Sequence, residues 1–409
     1  MSLAAAATQG LVFRALETIR GGELVLRFPG GRGRRFGDRR GPSVLVDVHR
    51  PEALWTKLAR RTRVGMGESY VDGDWDADDL VALLELLVRN ANAASEKPLL
   101  RWLYRFQELR PHLHEPQTPD RARNNIYAHY DLGNDLFRLM LDPTMTYSCA
   151  YWERPELTLE EAQLAKYRRI CEKLLLGPGD DLLEIGCGWG GFSIFAAREY
   201  GCRVTGLTIS PSQAALAVER VREAGLERRI EIREQDYRLT QGRYSRIASI
   251  EMLEAIGHGE YERFFAACDR LLARDGIAVI QTIGMPDERF ERHRRTPNWI
   301  QQYVFPGSLL PSLQSIANAV ATTRLVIHGL EEVGIFYART LREWRENFWA
   351  SIDRVRELGY DGRFERVWTY YLAFCEAAFA TRSLRDMQLV LTRAFNDALP
   401  GTPSTRVTF

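Results

Sequence analysis

The chain has 409 residues, of which 45% are hydrophobic and 27% charged, and its formal net charge is +1. That balance is ordinary for a globular protein, the length calls for two units, and near-neutrality argues against general nucleic-acid binding. No apolar run reaches the ~18–20 residues that span a bilayer, and Met1 to Gly10 lacks the basic start, apolar stretch and cleavage site of a signal peptide.

In chain order, Leu11 to Ile19 reads as a short amphipathic helix, and Glu23 to Phe28 alternates as a strand ended by Pro29, Gly30 and Gly31. Arg20, Arg27, Arg32, Arg34, Arg35, Arg39 and Arg40 crowd this segment. They are either a solvated face of a small sheet or a surface for anionic lipid headgroups, where each basic residue contributes ~1 kcal/mol. Ser43 to Val48 reads as another strand and Pro51 to Arg61 as a helix. Gly65 to Trp75 is glycine-punctuated and reads as a loop; Asp78 to Asn92 is a leucine-rich helix. Ser95 to Asp120 reads as a helix and a proline-rich linker. The domain boundary is placed there, giving an accessory domain over 1–110 and a catalytic domain over 120–409. Asn124 to Trp152 is too rich in Tyr, Asn and Asp for a plain core helix. Leu157 to Leu175 carries Ala162, Leu164, Ile170 and Leu174 at helical spacing.

The stretch from Asp181 to Gly191 organises the rest of the chain. Leu182 to Ile185 reads as a buried strand, Gly186, Gly188 and Gly190 form a GxGxG turn, and Phe192 to Glu199 starts a helix. Residues without Cβ let a ligand approach the backbone, and the helix N-terminus offers free N–H donors. The spacing is not that of the dinucleotide fingerprint. Further strands lie at Arg203–Thr208, Ile230–Arg233, Tyr244–Ile250 and Gly276–Ile283, with helices between them. This alternation predicts a doubly wound α/β sheet with ligands beyond the carboxyl ends of its strands. Polar clusters fall at those ends: Gln235–Tyr237, Glu251–Glu254 and Gln281–Ile283. Six cysteines show no disulfide framework and no metal spacing, so they read as thiols of a reducing compartment and no metal is expected.

These residues resemble a known family, the cyclopropane-fatty-acyl-phospholipid synthases and related S-adenosylmethionine-dependent lipid methyltransferases. The motifs that carry the likeness are HYDLGNDLF (129–137), MLDPTMTYSCAYW (140–152), LEIGCGWGG (183–191), GLTISPSQ (206–213), QDYR (235–238), YVFPGSLLPS (303–312) and GIFYARTLREW (334–344). GESYVDGDWD (67–76) resembles, more loosely, the accessory domain of longer bacterial members. The likeness implies a Rossmann-like class I methyltransferase sheet with helical insertions, behind a small N-terminal α+β domain. It implies that S-adenosylmethionine lies over Gly186, Gly188 and Gly190, covered by Tyr147 and Ser148. Thr208 and Gln213 would hold the ribose or amino-acid end, and Gln235, Asp236 and Tyr237 would flank the adenine. His129 would help close the donor site. A neutral adenosine with a zwitterionic tail suits such a set of N–H groups, hydroxyls and an apolar slot.

In this family the nucleophile is an alkene within an acyl chain. It attacks the sulfonium methyl in line and leaves a carbocation, so the site must exclude water and tolerate positive charge. Aromatic faces do so by cation–π attraction of ~0.5–2 kcal/mol. Tyr130, Tyr147, Tyr151, Tyr303, Phe305 and Tyr337 are candidates, and each alone could equally be core packing. A base must then remove a proton, and the carbon that loses it decides between a cyclopropane and a methyl-branched product. In cyclopropane-forming relatives a bound bicarbonate is that base. It is held by the main chain at positions matching Cys149 and Ile283 and by side chains matching Glu254, a histidine and Tyr337. Here the histidine position is Gln281, a usual glycine is Glu251 and a usual histidine is Ala255. Glu251 therefore either takes part in proton removal or supports the site from behind.

The expected substrate is the acyl chain of an unsaturated phospholipid, reached by a peripheral protein at the cytoplasmic face of a membrane. A homodimer is implied by the resemblance only. Two further readings stand beside this one: a methyltransferase for small amines, and a lipid-binding protein with a vestigial donor site.

Overall fold

The computed structural model describes residues 2–95, 132–296, 298–397 and 399. They form two compact units. The first gathers the N-terminal residues with Glu288–Pro306 and Tyr337–Leu384. The second takes the residues up to Asp287, then Gly307–Phe336, and the C-terminal residues from Arg385. The expected boundary between 110 and 120 lies outside the described residues.

In the first unit, β1 (Glu23–Arg27), β2 (Gly33–Gly37), β3 (Ser43–Val48) and β4 (Trp75–Ala77) form a sheet in the order β2-β1-β3-β4. The arginine-rich segment, unassigned from sequence, is thus edge strand β2, with Arg34 and Arg35 exposed and Phe36 buried. The expected loop from Gly65 is also helical: one helix runs Pro51–Val71, kinked at Arg61. Its glycines serve close approach. A Cβ on Gly65 would lie 2.4 Å from the Lys57 carbonyl oxygen, and one on Gly67 would lie 2.5 Å from the Trp299 ring. The helices Tyr337–Ala350 and Gly362–Ala380 pack in the same unit. The second is aromatic on several sides and needs cover on each. Tyr370 meets Tyr70 at 5.5 Å and Trp299 at 4.8 Å, and Arg366 lies 4.2 Å over the Tyr70 ring.

The second unit is built on seven strands. These are β5 (Asp181–Ile185), β6 (Arg203–Thr208), β7 (Ile230–Glu234), β8 (Tyr244–Ile250), β9 (Leu272–Gly284), β10 (Leu325–Glu332) and β11 (Arg385–Arg393). Their order is β10-β11-β9-β8-β5-β6-β7. β5 to β9 are mutually parallel, while β11 is antiparallel to both β9 and β10. The chain reverses direction of travel between β5 and β8, the switch point where open α/β sheets bind ligands. Leu182, Val204, Ala248, Ile277 and Val279 bury one face against Tyr167, Ile170 and Phe192. This is the expected doubly wound sheet, and β10 and β11 are the strands the sequence reading did not assign.

Candidate active site

The glycine turn after β5 is left-handed at each of its three alternate glycines, with φ of +86° at Gly186, +52° at Gly188 and +78° at Gly190. Only glycine adopts this readily. The three differ in their surroundings. A Cβ on Gly186 would lie 2.9 Å from Met252 Cγ and one on Gly190 would lie 3.3 Å from Ala217 Cβ, whereas Gly188 faces open space. Gly190 then caps the helix Gly191–Tyr200. The turn is pinned at its far side, where Trp189 donates to Asn134 at 2.8 Å and its ring packs 5.0 Å from Phe137. Phe137 in turn meets Tyr147 at 5.2 Å, so Tyr147 is tied to the turn through one aromatic ring. Arg220 donates to the carbonyls of Pro143, Thr144 and Trp189, which locks the loop preceding Tyr147 against the glycines.

At the ends of the next two strands, Thr208 donates to Gln213 at 2.9 Å, and both are nearly fully buried. The Gln235 N–H donates to the Thr208 carbonyl at 2.9 Å, so the two strand ends are joined. Asp236 is buried and caps the turn after β7, pairing with Arg238 at 2.6 Å. The Tyr237 ring packs 5.5 Å from Phe264 and its buried hydroxyl has no partner among the described residues. Ser148 accepts from Lys166 at 2.5 Å, and its carbonyl accepts from Gln163 at 2.9 Å.

Past β8 the site changes character. Glu251 sits at φ +51°, a left-handed conformation that costs a side-chain-bearing residue about 1–3 kcal/mol. Its Oε1 accepts from the Cys149 N–H at 2.8 Å and from Gln281 Nε2 at 2.9 Å. Glu254 Oε1 accepts from the Ile283 N–H and from the Thr282 hydroxyl. The main-chain donors of Cys149 and Ile283 are therefore each engaged by a carboxylate of this chain. Glu254 Oε2 is buried without a partner among the described residues.

Burial sets the electrostatics. It pushes Glu254 from 4.5 up to about 8, with the Glu251 charge adding to the rise. It raises the Cys149 thiol well above its usual value, so Cys149 is no thiolate nucleophile. Glu184, bonded to Ser193, rises to about 7 for the same reason. Lys166, 1% exposed, is pushed down to about 8 by desolvation, against the pull of Glu251, Cys149, Asp142 and Asp386.

Tyr303, Phe305 and Tyr337 belong to the first unit. There Tyr303 donates to Glu68 at 2.7 Å, Phe305 packs 5.7 Å from Tyr371, and Tyr337 stacks on Phe379 at 4.3 Å. His129 and Tyr130 lie outside the described residues. The sequence reading missed Lys166 and Asp386. Lys166 was findable, because it interrupts the apolar stripe at four-residue spacing between Ala162 and Ile170. Asp386 was not, since strand β11 itself went unread.

Comparison with known proteins bears on this arrangement. The family model "Mycolic acid cyclopropane synthetase" matches residues 117–389. The tuberculostearic acid methyltransferase UfaA1 of Mycobacterium tuberculosis is 39% identical over 364 residues, 87% of this chain and 84% of its own. The cyclopropane-fatty-acyl-phospholipid synthase of Escherichia coli K12 is 37% identical over 358 residues, 87% of this chain and 89% of its own. Among solved structures, the mycolic acid cyclopropane synthase CmaA1 complexed with SAH and CTAB superposes with a TM-score of 0.62 at 34% identity, covering 66% of this chain and 98% of that one.

Proposed function

The chain belongs to the mycolic acid cyclopropane synthetase family and is an S-adenosylmethionine-dependent methyltransferase; from that premise we propose that it adds a one-carbon unit to the double bond of an unsaturated acyl chain in a membrane phospholipid, closing a cyclopropane ring. The observation that carries this reading is the pairing of an open glycine at Gly188 with the carboxyl groups of Glu251 and Glu254 just beyond β8. The donor, when bound, supplies an electrophilic methyl. Gly186, Gly188 and Gly190 would lie beneath it, Tyr147 and Ser148 above it, Thr208 and Gln213 at one end and Gln235 to Tyr237 at the other. By the family resemblance alone, Tyr130, Tyr303, Phe305 and Tyr337 are the aromatic candidates for contact with substrate.

Proton removal falls to Glu251. A C–H bond of the added methyl group breaks, its electron pair bonds the methyl carbon to the cationic carbon and so closes the ring, and the proton passes to the Glu251 carboxylate. In this reading Glu251 stands in for bicarbonate, which is supported by the two expected main-chain donors holding Glu251 and Glu254. This relocated base also favours a second reading of the product, a methyl-branched chain, if Glu251 reaches a neighbouring carbon rather than the added methyl.

A peripheral position at the inner membrane face is supported by Arg20, Arg27, Arg32, Arg34, Arg35, Arg39 and Arg40, all exposed. Glu17, Glu23 and Asp47 pair with some of them, and a net positive face remains for anionic headgroups. No helix among the described residues is long and apolar enough to cross a membrane. The test is product analysis with purified protein, unsaturated phospholipid vesicles and labelled donor. A label found in a ring supports the first product, a label found in a branch supports the second, and a label absent from the lipid overturns the reading.

A further inference from the structure

One amide ties a buried acid to a part-exposed one. Gln281 Nε2 donates to Glu251 Oε1 at 2.9 Å and to Asp386 Oδ2 at 2.8 Å. Asp386 is 0% exposed, and its Oδ1 has no partner among the described residues. The shared Gln281 amide brings Glu251 beside it, and burial together with the Glu251 charge pushes Asp386 well above the ordinary carboxylate range. An ionised carboxylate with an orphaned oxygen and a second carboxylate facing it is strongly disfavoured in a dry interior. A proton on Asp386 resolves both problems, since it neutralises one charge and makes the acid a donor to the other.

The surroundings fix this arrangement. Glu331 on β10, Gln388 on β11 and Gln281 on β9 stand directly opposite one another across three antiparallel strands. Lys173 bonds both Glu331 and Gln388, and Gln388 Nε2 donates to Gln281 Oε1 at 2.9 Å. Each amide is thereby oriented with its oxygen toward Lys173 and its nitrogen toward the acids. Gln281 cannot turn without breaking the chain at both ends. The charged or titratable groups facing Asp386 are Glu251 and Glu254 from beyond β8, Cys149 from the loop, and Lys166 and Lys173 from the helix Leu159–Lys173.

We propose that Asp386 is a protonated positioning residue for the reaction: it donates a hydrogen bond to Glu251 and, with the Lys173–Gln388–Gln281 ladder, keeps that carboxylate ionised and fixed. This rests on the reading of Glu251 as the base. When Glu251 takes the substrate proton the pair carries two protons, and Glu251, which is part-exposed, returns one to water.

Two measurements test it. The first needs no turnover and so stands apart from the fate of the base assignment. The infrared difference spectrum of wild type minus D386N at neutral pH is expected to show a protonated-carboxyl C=O band. The loss of an ionised carboxylate band instead would overturn the proposal. The second is the pH profile of kcat. D386N, whose amide still donates, is expected to stay within about threefold of wild type. D386L has no donor, so the charged form of Glu251 is less favoured and its pKa rises. The acid limb of kcat is then expected to move up by about one pH unit, with kcat down about tenfold. An acid limb unmoved in D386L would mean a packing role only and would overturn the proposal even where kcat falls.

Discussion

The two ends of the site solve different problems with different materials. At the ends of β5 to β7, contacts come from the main chain, from neutral groups such as the Thr208 hydroxyl and the Gln213 amide, and from one carboxylate, Asp236, already neutralised by Arg238. At the ends of β8, β9 and β11, three acids and the buried Lys166 are packed together, and each is balanced by N–H donors or by a neighbour's charge. A donor that carries one sulfonium charge can be held by shape, backbone and aromatic faces. Moving a proton needs a group that titrates, and a buried titratable group persists only when its charge is shared or satisfied. Binding and proton handling are therefore separable in this fold, and mutation should separate them.

The largest effect should come from the turn. Gly186→Val forces a β-branched side chain into a left-handed conformation and onto Met252. Donor affinity measured by calorimetry should fall at least about a hundredfold, which is roughly 2.7 kcal/mol. Glu251→Gln should do the reverse. Donor affinity should stay within about twofold while kcat falls by about 10²–10⁴, the usual range for losing a general base. Equal losses of donor binding in both variants would break the comparison, because the two ends would then be one site.

Glu251→Gly sharpens it. Glycine at φ +51° carries no strain, and the Cys149 N–H loses its carboxylate partner. Turnover should collapse as in Glu251→Gln and then return in part on adding bicarbonate, which wild type should ignore. A rate assay over a bicarbonate series checks this, and a wild type stimulated as much as the variant would remove Glu251 from its assigned role.

The donor end was legible in the sequence because it is local. Asp181 to Gly191 is one strand, one turn and one helix start, and its glycines are needed where they stand for reasons of φ and close approach. The base end was legible only where chain neighbours carry it. Glu251 and Glu254 were read as a pair, but the left-handed φ that explains a glycine at that position appears only in three dimensions. Asp386 lies 105 residues from its partner Gln281 and comes beside it through antiparallel strand pairing. No periodicity within one segment reports such a partner. The glycines at 65 and 67 misled for a related reason: glycine marks turns and close packing alike, and the nearby Lys57 carbonyl and Trp299 ring decide which.

A smaller contrast is expected in pH dependence. Glu254 has a folded pKa near 8 against 4.5 for the free group, so its neutral form is the one the fold accommodates. The stability it contributes is whole below about pH 4.5 and is lost as pH rises through about 8. The melting temperature of wild type should therefore decline between about pH 6 and about pH 9 more steeply than that of Glu254→Gln. Parallel declines would show that the burial of Glu254 is not what the fold responds to.

The smallest effect should come from the neutral end. Thr208→Val keeps the volume and removes the hydroxyl that donates to Gln213, while the Gln235 N–H still bonds the carbonyl at position 208. A neutral hydrogen bond is worth about 0.5–1.5 kcal/mol net, so donor affinity should weaken by about two- to tenfold. Because no titratable group is involved, that loss should be the same at about pH 6 and about pH 9, measured by the same calorimetry. The corresponding losses in Glu251→Gln turnover should vary across that range. A Thr208→Val defect that followed pH would mean that the charged cluster reaches across the sheet to β6, and the division between a shape-reading end and a proton-handling end would have to be redrawn one strand further along.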